Sequence, residues 1–298
     1  MVKVAWFGLH TGEEPPLVGV DNKIIEIADN EKKCGRVKLA SLTTRHQPIT
    51  SFGAGGIFFT GCNLRCVFCQ NYQIFQENLG GLYSTEELAN IMLDLQKQGA
   101  VNIDLVTPTI WWKEIKPAII LARERGLTLP IVWNSNGFDS VEILREMKGL
   151  VDIYLPDFKY SDDEIALKYS GIKNYVETAK LAVREMLDQV SYLQIENGIA
   201  KRGLIVRHMV LPNNLANSFG VLQMLSEIDI SIHISLMNQY FPMHHASEYP
   251  EINRIVSEEE FNQVYEYLQE LGFTNGWVQG EKSQKNLIPD FRKKEPFK

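Results

Sequence analysis

Cys62, Cys66 and Cys69 place three thiols within eight residues, in the segment Gly61-Cys62-Asn63-Leu64-Arg65-Cys66-Val67-Phe68-Cys69-Gln70-Asn71, spaced C-x3-C-x2-C. Thiolates are soft ligands that suit iron–sulfur clusters and zinc. Three on one short loop can each take one iron of a cubane cluster. Such clusters normally have four cysteines, so the fourth iron would stay open to a small chelating molecule. The competing readings are a zinc site, a disulfide, or three unrelated buried thiols. Structural zinc needs four ligands, usually in paired knuckles. The remaining cysteine, Cys34, lies 28 positions upstream with no Cys or His beside it, and reads as an ordinary thiol. A disulfide leaves an odd thiol in the loop.

The elements that must position this loop are legible in the pattern around it. The chain has 298 residues, 45% of them apolar, enough for one large core or two modest ones. Strands are expected over 57–60, 101–106, 129–133, 151–155, 204–210 and 230–236. Helices are expected between them, over 111–125, 141–148, 161–189 and 216–228. Two more open on capping boxes, Ser84-Thr85-Glu86-Glu87 and Ser257-Glu258-Glu259-Glu260. They carry Leu88, Ile91, Met92 and Leu95, then Phe261, Val264, Leu268 and Leu271, at helical spacing, and end at Gly99 and Gly272. Repeated strand–helix units imply parallel strands with right-handed crossovers. The fold class is therefore α/β, a partial (β/α)6 TIM-like barrel over residues 51–280. An N-terminal extension over 1–50 precedes it, and a Lys-rich surface tail over 281–298 follows. Barrels of this kind keep their chemistry at the C-terminal ends of the strands, and the cysteine loop follows the first strand.

The sequence also excludes some classes. No run of about eighteen apolar residues is present, so no membrane helix is expected. The first residues lack an apolar stretch followed by a cleavage site, and the thiols are clustered; both point to a cytoplasmic chain. The formal charge of −7 disfavours a nucleic-acid partner.

The cysteine loop, with the aromatic Phe68 before its third cysteine, resembles that of the radical S-adenosylmethionine superfamily. Over about residues 50–280 the chain is similar to glycyl-radical-enzyme activating enzymes, typified by the pyruvate formate-lyase activating enzyme. It most resembles an uncharacterised branch of activase-like proteins beside them. The resemblance implies a [4Fe–4S] cluster on Cys62, Cys66 and Cys69 with S-adenosylmethionine on the open iron. It also implies a 5′-deoxyadenosyl radical that abstracts hydrogen, an electron donor such as flavodoxin or ferredoxin, and a glycyl-radical enzyme as protein substrate.

Cofactor contacts follow in order. Asn134-Ser135-Asn136-Gly137-Phe138 resembles the activases' Asp-Thr-Asn-Gly-Phe, with neutral Asn134 in place of the acid. Asp157 and Lys159 match an Asp-x-Lys; they can accept from ribose hydroxyls or the amino group and donate to the carboxylate. Arg207, before Leu211-Pro212, matches an Arg-x-Val-Val-x-Pro pattern and either forks onto a carboxylate or bridges carbonyls. His244, in Pro242-Met243-His244-His245, matches a Pro-x-His segment near the adenosine end. One departure stands out. Thr107-Pro108-Thr109 replaces the Gly-Gly-Glu-like motif that binds the amino group, so Thr107 and Thr109 are expected to substitute with hydroxyls and carbonyls.

Two segments have no firm role: His10-Thr11-Gly12-Glu13-Glu14-Pro15 either covers the barrel mouth or contacts substrate, or, as such segments more often are, is a surface turn, and Gly53-Ala54-Gly55-Gly56 reads as a flexible entry to the first strand. Three functions are expected, in order: activase-like abstraction from a glycine of a partner protein; the same chemistry on a peptide side chain or small molecule; and a metal-stabilised binding module.

Overall fold

A computed structural model describes residues 1–10, 17, 24–26, 53–279 and 288–297. Cys34 and the turn after His10 lie outside the described residues. The strands are β1 (Val2–His10), β2 (Ile24–Glu26), β3 (Ala54–Phe59), β4 (Gly81–Tyr83), β5 (Ile103–Val106), β6 (Ile131–Ser135), β7 (Ile153–Pro156), β8 (Gln194–Glu196), β9 (Ile199–Met209), β10 (His233–Met237) and β11 (Gly276–Gln279). The main helices are α1 (Thr85–Lys97), α2 (Trp112–Glu124), α3 (Val141–Glu146), α4 (Asp163–Ser170), α5 (Tyr175–Val190), α6 (Ser218–Ile228) and α7 (Glu258–Glu270).

β3, β5, β6, β7, β9, β10 and β11 pair in that order, all parallel. Each crossover carries at least one helix, so chain neighbours become sheet neighbours, as in a barrel. The sheet stays open: its order runs β2-β11-β10-β9-β7-β6-β5-β3-β1-β4, and its edges are three-residue strands. β5, β6 and β7 are buried throughout, as strands covered on both faces must be. Both capping boxes form, at Ser84 and Ser257.

Alternation along the strands sorts the two faces. Ile103, Leu105, Ile131, Trp133 and Tyr154 pack against Leu88, Met92, Ile115 and Ile119 on the helices. On the inner face Val132, Ile153, Leu155, Ile205 and Trp277 form an apolar floor with Leu17. Two residues further along the same strands stand Asn134, Asp157 and Arg207. Polar side chains therefore sit directly above a dry floor, at the strands' C-terminal ends.

The structure differs from the expected layout in four places. β1 does not stand apart in an extension; Val4 to His10 pair with β3 and widen the sheet. A seventh parallel strand, β11, follows α7, where Gly276-Trp277-Val278-Gln279 is too short for periodicity to register. The helical stretch expected over 161–189 divides at Gly171, whose φ of 66° places it in the left-handed region that ends helices. Residues 288–297 fold back rather than trail away: Phe291 is 9% exposed and packs with Phe58, Ile74 and Val106. Among the described residues no helix is long and apolar enough to cross a membrane.

Candidate functional site

The cysteine loop leaves β3 at Gly61 and is held by backbone hydrogen bonds to three other parts of the chain. Arg65 N and Val67 N donate to Ser170 O and Tyr169 O at the end of α4, each at 2.9 Å. His245 N donates to Val67 O at 2.8 Å, and Gly61 N to Ile74 O at 3.0 Å. Phe68 is buried edge-on against Tyr240, with centroids 5.6 Å apart. So anchored, all three cysteines line one cavity of about 210 Å³ at the C-terminal ends of the strands. Donors already face the sulfurs: Asn136 Nδ2 lies 3.2 Å and Leu64 N 3.4 Å from Cys62 Sγ, and Ser170 Oγ lies 3.0 Å from Cys66 Sγ.

Burial raises all three thiols. It pushes Cys62 up to about 11, with the neighbouring Cys66 adding to the rise. Cys66 and Cys69 are also raised by burial. Buried thiols of this kind hold their protons unless a metal takes their place. The nearby Lys159 ammonium pulls all three the other way.

Across the cavity stands a charged relay. Arg207 Nε donates to Asp157 Oδ1 at 2.8 Å, and Lys159 Nζ donates to Asp157 Oδ2 at 2.6 Å. Arg207 Nη2 donates to Asn134 Oδ1 at 2.7 Å, and Asn134 Nδ2 to Asp104 Oδ2 at 3.3 Å. Burial alone would raise the Asp157 carboxyl, but Arg207 and Lys159 together hold it below the usual carboxylate range. Burial alone would lower Lys159, but Asp157 and Cys66 hold it above its usual value. The group is thus an ionised triad, satisfied on both sides. Gly137, at φ 79°, lets the loop after β6 lie against β7: a Cβ there would sit 1.9 Å from Asp157 O.

Phe68, Thr107, Asn134, Ser135, Asn136, Asp157, Lys159 and Arg207 all line the cavity with the cysteines. Thr107 does so at φ 57°, a strained setting for a β-branched residue. Thr109 does not line it. Its hydroxyl donates to the buried Asp139 carboxylate at 2.7 Å, where Trp133 Nε1 and Ser135 Oγ also donate. Burial raises Asp139 in spite of these donors. Asp139 therefore braces the loop Ser135-Asn136-Gly137 from behind. His244 does not line it either. Its ring stacks on Tyr72 at 4.9 Å, and its Nε2 lies 3.2 Å from Gln76 Oε1, whose amide donates to Cys66 O. It buttresses the cysteine loop from outside.

The cavity also takes in His10, the first residue of the segment that could cover the barrel mouth, and Phe58, Met209, Met237, Gln239, Pro289 and Phe297, which sequence reasoning missed. Phe58, Met209 and Met237 share the inward parity of their strands, which a stricter use of alternation would have found. No local signal marks Phe297.

Sheet and site together define a partial α/β barrel with a three-thiol cluster loop at its C-terminal mouth. Residues 57–199 match the radical SAM superfamily model. Members of that superfamily use a [4Fe–4S] cluster and S-adenosylmethionine, and the matched stretch holds the cysteine loop and the strand ends that carry Asn134, Asp157 and Lys159. An uncharacterised protein of Methanocaldococcus jannaschii is 32% identical over 220 residues, 70% of this chain and 60% of its own length. The chain thus spans somewhat under two thirds of that relative. The solved FeFe-hydrogenase maturase HydG of Carboxydothermus hydrogenoformans shares the fold, at 13% identity and a TM-score of 0.51. That alignment covers 72% of this chain and 50% of the maturase. A domain of pyruvate-formate lyase-activating enzyme from Bacteroides vulgatus is similar at 13% identity and a TM-score of 0.43, over 60% and 99% of the two chains.

The residues present fit these cofactors. The three thiols line one cavity, as ligands to separate irons of one cluster would. Asn136, Asp157, Lys159 and Arg207 present acceptors and donors suited to a zwitterionic amino acid joined to a ribose.

Proposed function

We propose that this protein is a radical SAM enzyme that abstracts hydrogen from a small molecule or single side chain admitted to its cavity. One observation carries the reading: the three cysteines share one strand-end cavity with the Asp157–Lys159–Arg207 triad. When bound, the cluster and S-adenosylmethionine supply a 5′-deoxyadenosyl radical. Cys62, Cys66 and Cys69 would hold the cluster, with Asn136 and the Leu64 N–H donating to Cys62 sulfur. Lys159 would face the cofactor's carboxylate and Asp157 its ribose or amino group, each already oriented by the other. Thr107, at the cavity wall, offers its hydroxyl and carbonyl where the superfamily commonly has a carboxylate. An external one-electron donor, a flavodoxin or ferredoxin, completes the cycle.

The walling of the cavity by Pro289 and Phe297 favours a small substrate over a glycine loop of a partner protein. The activase-like reading rests on sequence resemblance and requires that wall to yield.

The test is anaerobic reconstitution followed by reduction with S-adenosylmethionine present. About four irons per chain and release of 5′-deoxyadenosine are expected. Stoichiometric zinc without that product overturns the reading. A glycyl radical on a co-purified partner, seen by electron paramagnetic resonance, would move the substrate to the activase class.

A further inference from the structure

The end of the cavity made by β1, β3 and the 288–297 segment is built from rings. Phe297 lies among four of them. Its centroid is 5.2 Å from Trp6, 5.5 Å from Phe58, 5.7 Å from His10 and 6.0 Å from Phe291. The His10 contact is stacked, at 21° between planes, and the Trp6 contact is edge-on, at 72°. These are the spacings at which aromatic pairs attract beyond their buried area. Phe58, His10 and Phe297 line the same cavity as the three cysteines, so a ring held here lies in the chamber of the proposed chemistry.

Beneath the rings lies a polar pair left incomplete among the described residues. His10 is 6% and Asp104 1% exposed, and His10 Nε2 stands 3.5 Å from Asp104 Oδ2. Neither His10 Nε2 nor Asp104 Oδ1 has a hydrogen-bond partner among the described residues. Unmet buried polar atoms cost about 1–3 kcal/mol each. The niche is nonetheless specific: a Cβ on Gly56 would lie 2.5 Å from the His10 ring, so only glycine admits it.

The segment carrying Phe297 is anchored near its start, where Phe291 is buried and Arg292 pairs with Glu77 at 2.9 Å, and more loosely toward Phe297. Residues 288–297 form no strand or helix. Gln73 holds Asp290 and Phe291 at 3.2 and 2.7 Å, and Trp6 Nε1 reaches Lys294 O at 3.4 Å. Phe297 remains 37% exposed. The chamber it closes is about 210 Å³, whereas sites for drug-sized ligands run to about 300–1,000 Å³. A nucleoside cofactor and a ring-sized substrate together need the space that the Phe297 ring takes, while the rest of the wall stays in place.

We propose that Phe297 occupies a substrate subsite, and that the subsite takes a small aromatic molecule bearing a hydroxyl. The ring replaces that of Phe297 among Trp6, His10, Phe58 and Phe291. The hydroxyl meets His10, which Asp104 and Gly56 position; Phe297 satisfies the apolar half of the site and leaves the polar half unmet. The proposal rests on the small-substrate reading above and adds the chemical class.

The test titrates phenol and toluene, rings of similar size with and without the hydroxyl, into the anaerobically reconstituted protein, read by calorimetry. Phe297→Ala should bind phenol at least tenfold more tightly than wild type, and tenfold more tightly than it binds toluene. Adding His10→Phe should abolish the preference for phenol while keeping the ring. Phe297→Trp, which keeps the box filled, should show no gain. The proposal is overturned if Phe297→Ala binds phenol no better than wild type, or if phenol and toluene bind it alike. Binding is read as heat and requires no turnover. Release of 5′-deoxyadenosine by wild type without phenol binding by Phe297→Ala sinks this proposal alone, and absence of that product sinks the functional reading alone.

Discussion

The two walls of the cavity follow opposite rules. On the wall made by β6, β7 and β9, Asp157 bonds two cations, Arg207 spans to Asn134, and Asp139 collects three donors behind the loop. On the wall made by β1, β3 and residues 288–297, rings pack against rings over a His10–Asp104 pair with atoms unmet among the described residues. A buried charge with fixed partners keeps its position whatever occupies the cavity, because any other position loses those partners. A ring held by other rings loses little when another ring takes its place. The first wall suits an unchanging cofactor and the second an exchangeable ligand.

The largest expected effect is on Cys66→Ser. Two soft ligands remain, so an intact cluster should not be retained, and the visible spectrum after reconstitution should be lost. Next is Asp157→Asn, which takes the shared counter-charge from the half-buried Arg207 and Lys159 while Arg207 keeps Asn134. It should destabilise the fold by about 1.5–3 kcal/mol in denaturant unfolding; a loss below about 0.5 kcal/mol would erase the contrast between the walls.

His208 sharpens the same contrast through pH. It is buried on β9, with its ring nitrogens 2.7 Å from Phe158 O and 2.8 Å from Ser218 Oγ. Burial lowers it to about 4. The unfolded chain binds that proton near pH 6.5 and the folded chain only near 4. Stability is therefore complete above 6.5 and lost as pH falls toward 4, by up to about 3 kcal/mol. His208→Gln should flatten that part of the stability–pH curve.

Thr109→Val removes one donor from Asp139 and should cost about 1–2 kcal/mol while leaving S-adenosylmethionine affinity unchanged in equilibrium binding. A large loss of affinity would return Thr109 to the cofactor. The smallest effect belongs to the yielding wall. Phe297→Ala should cost about 1 kcal/mol or less, since the side chain is only partly withdrawn from water.

Legibility in the sequence followed the range of the interactions. The six strand–helix units and both capping boxes were readable because alternation and capping act within a few residues. The cysteine loop is readable because its three thiols are neighbours in sequence. Asp157 and Lys159 were found as a pair two residues apart. His244 and Thr109 lie off the cavity for the opposite reason. Each sits beside the loops that line the cavity, but its side chain turns to a partner far along the chain or behind the loop, Gln76 in one case and Asp139 in the other. β1 and β11 were missed because they owe their place in the sheet to neighbours rather than to their own pattern.

By itself the sequence determined the strand–helix order, the thiol spacing and the chemistry those thiols support, since each depends on residues close together along the chain. Only the tertiary structure decided that Asp104, Asn134, Arg207, Asp157 and Lys159 form one relay across four neighbouring strands. It alone brought His10 and Phe297, 287 positions apart, to the same end of the cavity. The physical reason is that parallel strands place side chains in contact by register and parity, and that an open sheet must be walled by whatever segment folds back against its edge.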